Sequence, residues 1–205
     1  MTHPGADPSW EAMWSRGLAK DSAFDVAGPS QALVAVLPNM KIGPTLVPGA
    51  GRSYDAWALA KAGRAVTAVD LSPTAVAEAR KELCGREPRS VEVVQGDFFE
   101  MELPTQHFAC IWDCTFLCAL SPDSRERWAA RTAALLAPDG ELWSLVFPII
   151  EKVGGPPYAL SVDLVSSLLE PHGLLPEEVV EMPNGTHMPR LPAAGNTVVK
   201  YCRRK

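Results

Sequence analysis

Short apolar runs alternate with longer amphipathic segments along most of the chain. The runs are rich in β-branched residues and end near glycine or aspartate, as buried parallel strands do, whereas the longer segments have helical spacing. The predicted strands are Thr45–Pro48, Ala65–Val69, Val91–Val94, Phe108–Asp113, Gly140–Phe147, Val179–Met182 and Thr197–Cys202. The predicted helices are Arg52–Ala62, Thr74–Cys84, Asp123–Leu136 and a segment capped by Ser161 that runs to His172. This alternation predicts an α/β fold with a mostly parallel sheet and helices on both faces.

The last two predicted strands have no full helix between them, so we expect them to form an antiparallel pair. The sheet would then have seven strands, with the last one antiparallel to the others. The 205 residues contain no internal repeat and no long linker. Because one domain usually has roughly 100–200 residues, we predict a single domain, residues 1–205.

An additional segment precedes the first strand. Trp10, Trp14 and Leu18 recur every four residues, which is typical of one face of an amphipathic helix. Such a face either packs on the core or covers a site, and both readings stay open on the spacing alone. Its position ahead of a glycine-rich loop favours a lid, and we predict that residues 1–40 form an N-terminal helical lid segment.

Composition and charge argue against several kinds of partner. The net charge is −5, and no Lys/Arg stripe occurs outside the C-terminus, which argues against nucleic acid. No apolar run reaches the ~18–20 residues that span a bilayer. Five cysteines form no CxxC pair, so we predict no metal site and reduced thiols in the cytoplasm. We expect a monomer, although the sequence does not set the oligomeric state or reveal a removed transit peptide.

The loop after the first strand carries the strongest local signal. Gly49 and Gly51 allow a sharp turn and close approach of the backbone to a ligand. Nineteen residues after Gly51, Asp70 ends the second predicted strand, where its carboxylate can accept hydrogen bonds from ribose hydroxyls. These residues predict a nucleotide-like ligand at the carboxyl edge of the sheet.

The same loop distinguishes two kinds of ligand. Tyr54 stands where the NAD fingerprint has its third glycine, which disfavours a dinucleotide. S-adenosylmethionine (SAM) needs a close-approach loop, a ribose acid and a polar group near the adenine amine. Asp97 and Phe98 follow the third strand and suit the adenine, although an aspartate there is also a common turn residue. We therefore predict SAM, with an NAD-linked oxidoreductase as the less favoured alternative.

Several segments resemble the thiopurine S-methyltransferase-like superfamily of class I SAM-dependent methyltransferases, and most closely its thiol and halide methyltransferase branch. They are Trp10-x-x-x-Trp14, LVPGAGRSYD (46–55), GDFF (96–99), WDCTFLCAL (112–120), PDGEL (138–142), Phe147-Pro148 and GGPPY (154–158). The likeness extends over roughly Trp10 to Gly173. It implies the Rossmann-like fold of that class and a product, S-adenosylhomocysteine.

The resemblance also implies roles for individual residues. The cofactor-binding residues would be Trp10, Trp14, Phe24, Gly49, Gly51, Asp70, Leu71, Asp97, Phe98 and Asp113. The N-terminal helix would close over SAM, and the methionine part would lie near Gly49 and Asp113. Cys114 would face the transferred methyl group, and Tyr158 would form a wall of the acceptor pocket; these two are the candidate catalytic residues.

Departures from the family pattern narrow the acceptor. Ala50 and Ser53 replace residues that are often Cys and Gly in relatives, and Phe24 replaces a tryptophan. The thiopurine branch carries an arginine where Cys114 stands, so a neutral thiol there favours a small acceptor: a halide, bisulfide, thiocyanate or small thiol. An aromatic-thiol methyltransferase and a non-catalytic SAM-binding protein remain alternatives.

Methyl transfer from a sulfonium is an in-line displacement that depends mainly on alignment and exclusion of water. Preformed anions need no base. For a neutral thiol, a water or Tyr158 could assist proton loss, and none of the four histidines falls in a recognised motif.

Overall fold

The structure is a computed structural model that describes residues 9–22, 24–188 and 193–203. One sheet of seven strands has the order β3-β2-β1-β4-β5-β7-β6. The strands are β1 (Thr45–Pro48), β2 (Val66–Asp70), β3 (Val91–Gln95), β4 (Phe108–Cys114), β5 (Leu136–Ile149), β6 (Leu174–Met182) and β7 (Gly195–Arg203). The helices are α1 (Ser9–Ser15), α2 (Gln31–Val36), α3 (Tyr54–Lys61), α4 (Pro73–Leu83), α5 (Arg125–Leu135) and α6 (Val162–Leu169).

The pairing of the strands confirms the predicted fold class. Strands β1 to β5 pair in parallel, and β7 is antiparallel to both of its neighbours, β5 and β6. The strand order reverses between β1 and β4, which lie side by side although β2 and β3 separate them in the chain. Ligands of open α/β sheets bind beyond the carboxyl ends of the strands at such a reversal.

Two apolar layers cover the faces of the sheet. One layer joins the sheet to α5 and α6 and contains the buried Trp128 and Tyr201. The other joins it to α2 and α3 and contains Trp112 and Trp143. The helices therefore lie on both faces, and the aromatic side chains in both layers fix the sheet beneath the strand ends.

Most predicted elements agree with the structure within two or three residues, and α4 begins with a capped first turn. Ser72 accepts a hydrogen bond from the backbone N–H of Ala75, and Pro73 begins the helix. The largest difference is β6, which was predicted to start at Val179 but starts at Leu174. Pro176 is the reason, because proline is rare in strands and weakens the prediction there. Strand β6 lies at the edge of the sheet and has a register shift after Pro176, so the sheet tolerates a residue that has no backbone N–H to donate.

The N-terminal segment contains two short helices rather than one long one. Helix α1 ends at Ser15, so Leu18 lies beyond it, and α2 was not predicted. Residues 1–8 and 23 of the predicted lid segment 1–40 lie outside the described residues. Within the part of the chain that the structure describes, no helix is both long enough and apolar enough to cross a bilayer.

Candidate active site

A cavity of about 300 Å³ lies at the carboxyl edge of the sheet, beyond β1, β2, β3 and β4. Eleven of the twelve predicted site residues line it: Trp10, Trp14, Phe24, Gly49, Gly51, Asp70, Leu71, Asp97, Phe98, Cys114 and Tyr158. The exception is Asp113, which is not among the lining residues. The predicted loops therefore converge on one space.

The glycine loop needs both of its glycines. Gly49 and Gly51 have φ values of +60° and +50°, in the left-handed region that glycine favours. A Cβ at Gly49 would lie 2.6 Å from Cδ2 of Phe116, and one at Gly51 would lie 3.4 Å from the Trp14 ring. Ser53 also has a positive φ, +62°, which costs some strain in a residue that has a side chain.

Asp70 ties the first two strand-end loops together. Its Oδ2 accepts a hydrogen bond from the Gly51 N–H at 2.9 Å, and its Oδ1 accepts one from the Ser72 N–H at 2.9 Å. Burial raises the pKa of this carboxyl above its usual value, although these backbone donors oppose the shift. Each carboxylate oxygen can accept more than one hydrogen bond, so both keep capacity for a ligand.

The loop after β3 presents a turn aspartate beside an aromatic surface. Oδ1 of Asp97 accepts a hydrogen bond from the Phe99 N–H at 2.8 Å, so Asp97 does form the turn that is common for this residue type. Phe98 is 4 % exposed, and its ring contacts that of Phe116 with centroids 5.1 Å apart. The turn leaves Asp97 in the cavity wall next to a flat apolar surface.

Helix α1 is attached to the N-terminus of α4 by one carboxylate. Glu11 accepts hydrogen bonds from the hydroxyl groups of Ser72 and Thr74, the latter at 2.6 Å, and from the Thr74 N–H at 3.3 Å. These donors lower the pKa of Glu11. A negative charge at this end of α4 is also favoured by the helix dipole.

Arg52 holds the rest of the N-terminal segment against the glycine loop. Its Nε donates to Asp25 at 2.6 Å, and its Nη2 donates to the Leu18 carbonyl at 2.6 Å. Its guanidinium also pairs with Glu78 and lies 5.2 Å from the centre of the Trp14 ring. The arginine and Asp25 are both buried, so this pair fixes the segment more firmly than a surface ion pair would.

The far end of the cavity is formed by residues that are distant in the chain. Tyr158 donates its backbone N–H to the Cys118 carbonyl at 2.7 Å, which fastens the GGPPY segment to the turn after β4. A Cβ at Gly155 would lie 2.5 Å from the Tyr158 ring, so only glycine allows this packing. Phe147 and Met188 complete this wall, opposite the loop after β1.

The sequence of this chain matches a known protein family and several known methyltransferases. Residues 6–178 match the family described as Thiopurine S-methyltransferase. The chain is 37% identical to Probable thiol methyltransferase 2 of Arabidopsis thaliana over 178 residues, 84% of this chain and 76% of that protein. It is 35% identical to Thiocyanate methyltransferase 1 of the same plant over 179 residues, 85% and 77% of the two chains. The chain belongs to the thiopurine S-methyltransferase family.

The fold of this methyltransferase is shared with more distant enzymes. The structure of Burkholderia thailandensis 1,6-didemethyltoxoflavin-N1-methyltransferase, with its substrate and S-adenosylhomocysteine bound, matches with a TM-score of 0.69 at 22% identity. The match covers 100% of this chain and 94% of that one. The family decides the choice that the glycine loop left open: the cofactor of this methyltransferase is SAM, and the dinucleotide alternative is wrong.

The residues of the cavity fit that cofactor. The two glycines form a cradle that a Cβ at either position would fill, and Asp70 has acceptor capacity for ribose hydroxyls. Asp97 and Phe98 supply a polar group and a flat apolar wall. When bound, SAM supplies an activated methyl group, and the protein has to orient it and exclude water.

Asp113 has a different position from the one that the resemblance implied. It is 1 % exposed, and its carboxylate accepts hydrogen bonds from the Leu117 N–H at 3.1 Å and from Nε1 of Trp128 at 2.8 Å. Burial raises its pKa to about 6. The carboxylate therefore points into the core, where it shapes the turn that carries Cys114 and Phe116; a direct contact with the cofactor is not supported by this geometry.

Four polar residues of the methyltransferase line the cavity together: Ser30, Asp55, Cys114 and His187. The Ser30 N–H donates to Oδ1 of Asp55 at 2.7 Å, and the Ser30 hydroxyl lies 3.0 Å from Nδ1 of His187. Burial raises the pKa of the Cys114 thiol well above its usual value, and the charge of Asp55 acts in the same direction. The neutral form of this thiol is therefore favoured.

Five residues of this region were not predicted from the sequence: Ser30, Asp55 and His187 in the cavity wall, and Arg52 and Glu11 as anchors of the N-terminal segment. Asp55 and Arg52 stand in the LVPGAGRSYD motif, but their roles depend on contacts with residues 14–30. Ser30 and His187 have no motif at all and meet only because of the fold. His187 stands between Thr186 and Met188, so its neighbours in the sequence give no signal of a buried site residue.

Proposed function

We propose that this methyltransferase moves the methyl group of SAM to a small soft nucleophile, namely a small thiol, bisulfide, thiocyanate or a halide. The products would be the methyl thioether, methyl thiocyanate or methyl halide, together with S-adenosylhomocysteine. The observation that carries the proposal is the acceptor end of the cavity, which is small and bounded by neutral side chains.

The size of the cavity limits the acceptor. Its volume of about 300 Å³ is at the lower end of the roughly 300–1,000 Å³ found for pockets that hold drug-sized ligands. SAM alone is a ligand of that size, so little space remains for a second molecule. Pro156, Pro157 and Tyr158 are among the residues that line the cavity, and we infer that they enclose an acceptor of a few atoms.

The chemistry of the acceptor end supports the same class. Cys114 and His187 are neutral, and Phe147 and Met188 are apolar. Large polarisable anions are more easily taken out of water into such surroundings than small hard ones, because they are less strongly hydrated. The arginine that would stabilise an aromatic thiolate in the thiopurine branch is replaced by Cys114.

The N-terminal segment would act as a lid. Trp10 and Phe24 meet with ring centroids 5.7 Å apart, and Trp14 is 7 % exposed beside the glycine loop. Closed over SAM, these rings would exclude water and surround the sulfonium with aromatic faces, which favour a cation. Desolvation matters because a hydrated anion must lose its water before it attacks.

A substrate panel tests the proposal. The purified protein is mixed with SAM and, separately, with thiocyanate, bisulfide, iodide, a small alkanethiol, an aromatic thiol, a catechol and an amine. S-adenosylhomocysteine is quantified by chromatography, and methylated volatiles are measured by gas chromatography. We expect turnover with the soft anions and the small thiol, at least about tenfold above the catechol and the amine in kcat/KM.

Two outcomes would count against the proposal. Turnover confined to the aromatic thiol would indicate a thiopurine-type enzyme, and turnover confined to the oxygen or nitrogen acceptors would refute soft-nucleophile transfer. Single-turnover measurements with enzyme in excess complement the panel, since they detect methyl transfer even where product release is slow.

The organisation of the protein in the cell is part of the proposal. We propose one domain over residues 1–205 that works as a cytoplasmic monomer on small molecules or anions, with no nucleic acid or membrane partner. All five cysteines are free, in keeping with a reducing compartment. Gel filtration with light scattering would measure the mass in solution.

A further inference from the structure

His187 lies in the segment between β6 and β7 and faces the acceptor end of the cavity. It is 6 % exposed, and its ring contacts that of Phe147 with centroids 5.0 Å apart. Nothing in the reaction described so far uses this residue. A buried imidazole in the wall of a methyl-transfer site needs an explanation, because burial of a polar ring costs free energy unless the ring is hydrogen-bonded.

A chain of hydrogen bonds orients the imidazole. Asp55 accepts from Nε1 of Trp112 and from the Ser30 N–H, each at 2.7 Å, so the position of Ser30 is fixed by α3. The Ser30 hydroxyl then engages Nδ1 of His187 at 3.0 Å. With Nδ1 occupied, Nε2 is the nitrogen left for a ligand in the cavity.

The surroundings of His187 contain few charges. Through Ser30 it is connected to Asp55 of α3 and to Cys114 of β4, whereas β5 contributes only the apolar Phe147 on this side. Asp25 and Arg52 also line the cavity, but they pair with each other. Burial lowers the pKa of His187 to about 4, so the ring is neutral at physiological pH. A neutral imidazole whose Nδ1–H donates to Ser30 has Nε2 as a free acceptor.

We propose that His187 is a catalytic residue that accepts the proton of neutral thiol acceptors. This inference rests on the proposed function. In the step, a lone pair of the thiol sulfur forms the bond to the methyl carbon, the bond between that carbon and the sulfonium sulfur breaks, and S-adenosylhomocysteine leaves. The thiol proton goes to Nε2 of His187 and from there to water.

A weak base is sufficient for this transfer. As the new carbon–sulfur bond forms, the thiol sulfur becomes positively charged, and its proton becomes strongly acidic. A base of low pKa also stays unprotonated over the whole working range of pH. A free thiol of pKa ~8.5 is mostly protonated at pH 7, so a base that takes the proton as the carbon–sulfur bond forms lets this major form of the acceptor react.

The test compares two acceptors that differ in a proton. Thiocyanate carries no proton to lose, whereas 2-mercaptoethanol does. The kcat/KM of wild type and of His187→Gln is measured with both acceptors from pH 6 to pH 10, with His107→Gln, a change at an exposed histidine, as the matched control. At pH 7 we expect His187→Gln to lose activity with the thiol by about 100-fold, the lower end of typical general-base effects, and at least about 30 times more than with thiocyanate.

The pH profile gives a second readout. The deficit of His187→Gln with the thiol should shrink as the pH rises past the pKa of the thiol, because the thiolate needs no base. Equal losses with both acceptors, or a deficit that does not depend on pH, would show a structural role for His187 and overturn the inference. If wild type methylates thiocyanate but no thiol, the inference also falls while the proposed function stands; if wild type methylates neither, the proposed function itself fails.

A second variant keeps the test decisive if His187→Gln does not fold. Ser30→Ala leaves the imidazole in place but removes the partner that orients it. We expect it to reduce thiol methylation about tenfold at pH 7, with a smaller loss for thiocyanate and the same recovery at high pH. Identical losses with both acceptors at every pH would contradict the role of Ser30 and, with it, of His187.

Discussion

The two ends of the cavity are built in different ways. At the cofactor end, backbone N–H groups and carboxylates of consecutive strand-end loops bond to one another, as Gly51 and Ser72 do with Asp70. At the acceptor end, side chains from distant parts of the chain meet: Ser30 and His187 are 157 positions apart. The first arrangement depends on the sheet itself, and the second depends on segments that lie on top of it.

This difference suggests how such an enzyme changes acceptor without losing its cofactor. A substitution among Cys114, Phe147 or His187 alters the wall beside the reacting atom but breaks no bond within the glycine loop. A substitution in the loop, by contrast, should impair every reaction of the enzyme equally. The following predictions test this separation, from the largest expected effect to the smallest.

Gly49→Ala should have the largest effect, at the cofactor end. Both Gly49→Ala and Gly63→Ala introduce a side chain at positive φ, which costs roughly 1–2 kcal/mol. Only the Cβ at position 49 would collide with a neighbour, Phe116 at 2.6 Å, whereas position 63 has open space. We therefore expect Gly49→Ala to weaken SAM binding by about tenfold or more. This factor corresponds to a clash with Phe116 that costs about 1.4 kcal/mol or more of binding free energy.

Titration calorimetry and thermal unfolding would measure this effect, with Gly63→Ala as the matched control that isolates the backbone strain. If both variants bind SAM equally well, the close approach at Gly49 does not matter for the cofactor, and the distinction between the two ends weakens.

Asp70→Asn should come next, with an effect that is independent of the acceptor. Asn keeps one oxygen acceptor but loses the charge, so the cost should lie near the lower end of the about 1.5–3 kcal/mol of charged hydrogen bonds, and we expect SAM to bind about tenfold more weakly. The KM for SAM should rise for thiocyanate and thiol alike. Asp139→Asn is the control, because Asp139 is exposed and pairs with Lys41 away from the cavity; an equal effect of both variants would contradict a ribose contact.

Cys114→Ser addresses the acceptor end. Because burial raises the pKa of the Cys114 thiol and favours its neutral form, a neutral hydroxyl of similar size can replace it. We expect kcat/KM to fall by no more than about tenfold, or ~1.4 kcal/mol, with SAM affinity preserved. A loss of several thousandfold relative to the exposed Cys84→Ser control would instead show that Cys114 acts as a nucleophile.

The smallest effect concerns the pH dependence of the N-terminal segment. Hydrogen bonds from Ser72 and Thr74 lower the pKa of Glu11 below its ordinary value of 4.5. A group whose pKa is lower in the folded state contributes stability above its unfolded pKa, and that contribution is lost as the pH falls through the folded value. Hydrogen exchange of residues 9–20 should therefore accelerate below about pH 4.5 in wild type, beyond the intrinsic pH effect on exchange.

Glu11→Gln provides the comparison for that experiment. It should show the faster exchange already at pH 7 and little further change on acidification. If the variant and wild type respond to pH in the same way, the carboxylate of Glu11 does not hold α1 in place.

The cofactor end could be predicted because its information is local. Each predicted residue lies at the end of a strand or just after it: Gly49, Gly51, Asp70 and Asp97. Because the carboxyl ends of parallel strands lie along the same edge of the sheet, these residues come together in any fold of this class. Asp113 also follows this rule in sequence, but the alternation of side chains along β4 and the indole of Trp128 draw it into the core. Packing decides whether the side chain of a strand-end residue points into the core or into the cavity, and the motif does not specify that packing.

The acceptor end could be predicted only through resemblance. Cys114 and Tyr158 were identified by family segments, while Ser30 and His187 belong to connecting segments whose positions depend on contacts with the sheet. The strand β6 shows the same limit, since Pro176 is compatible with a strand only at an edge, and the sequence does not state which strand is at the edge.

The carboxylate of Glu11 links the position of α1 to the cap of α4 and to the loop after β2. The hydroxyl of Ser72 that it accepts from is the same one that caps α4, and Ser72 also donates its N–H to Asp70. Movement of α1 away from the body would therefore expose the first turn of α4 and disturb the loop after β2. We expect exchange of S-adenosylhomocysteine for SAM to require that movement.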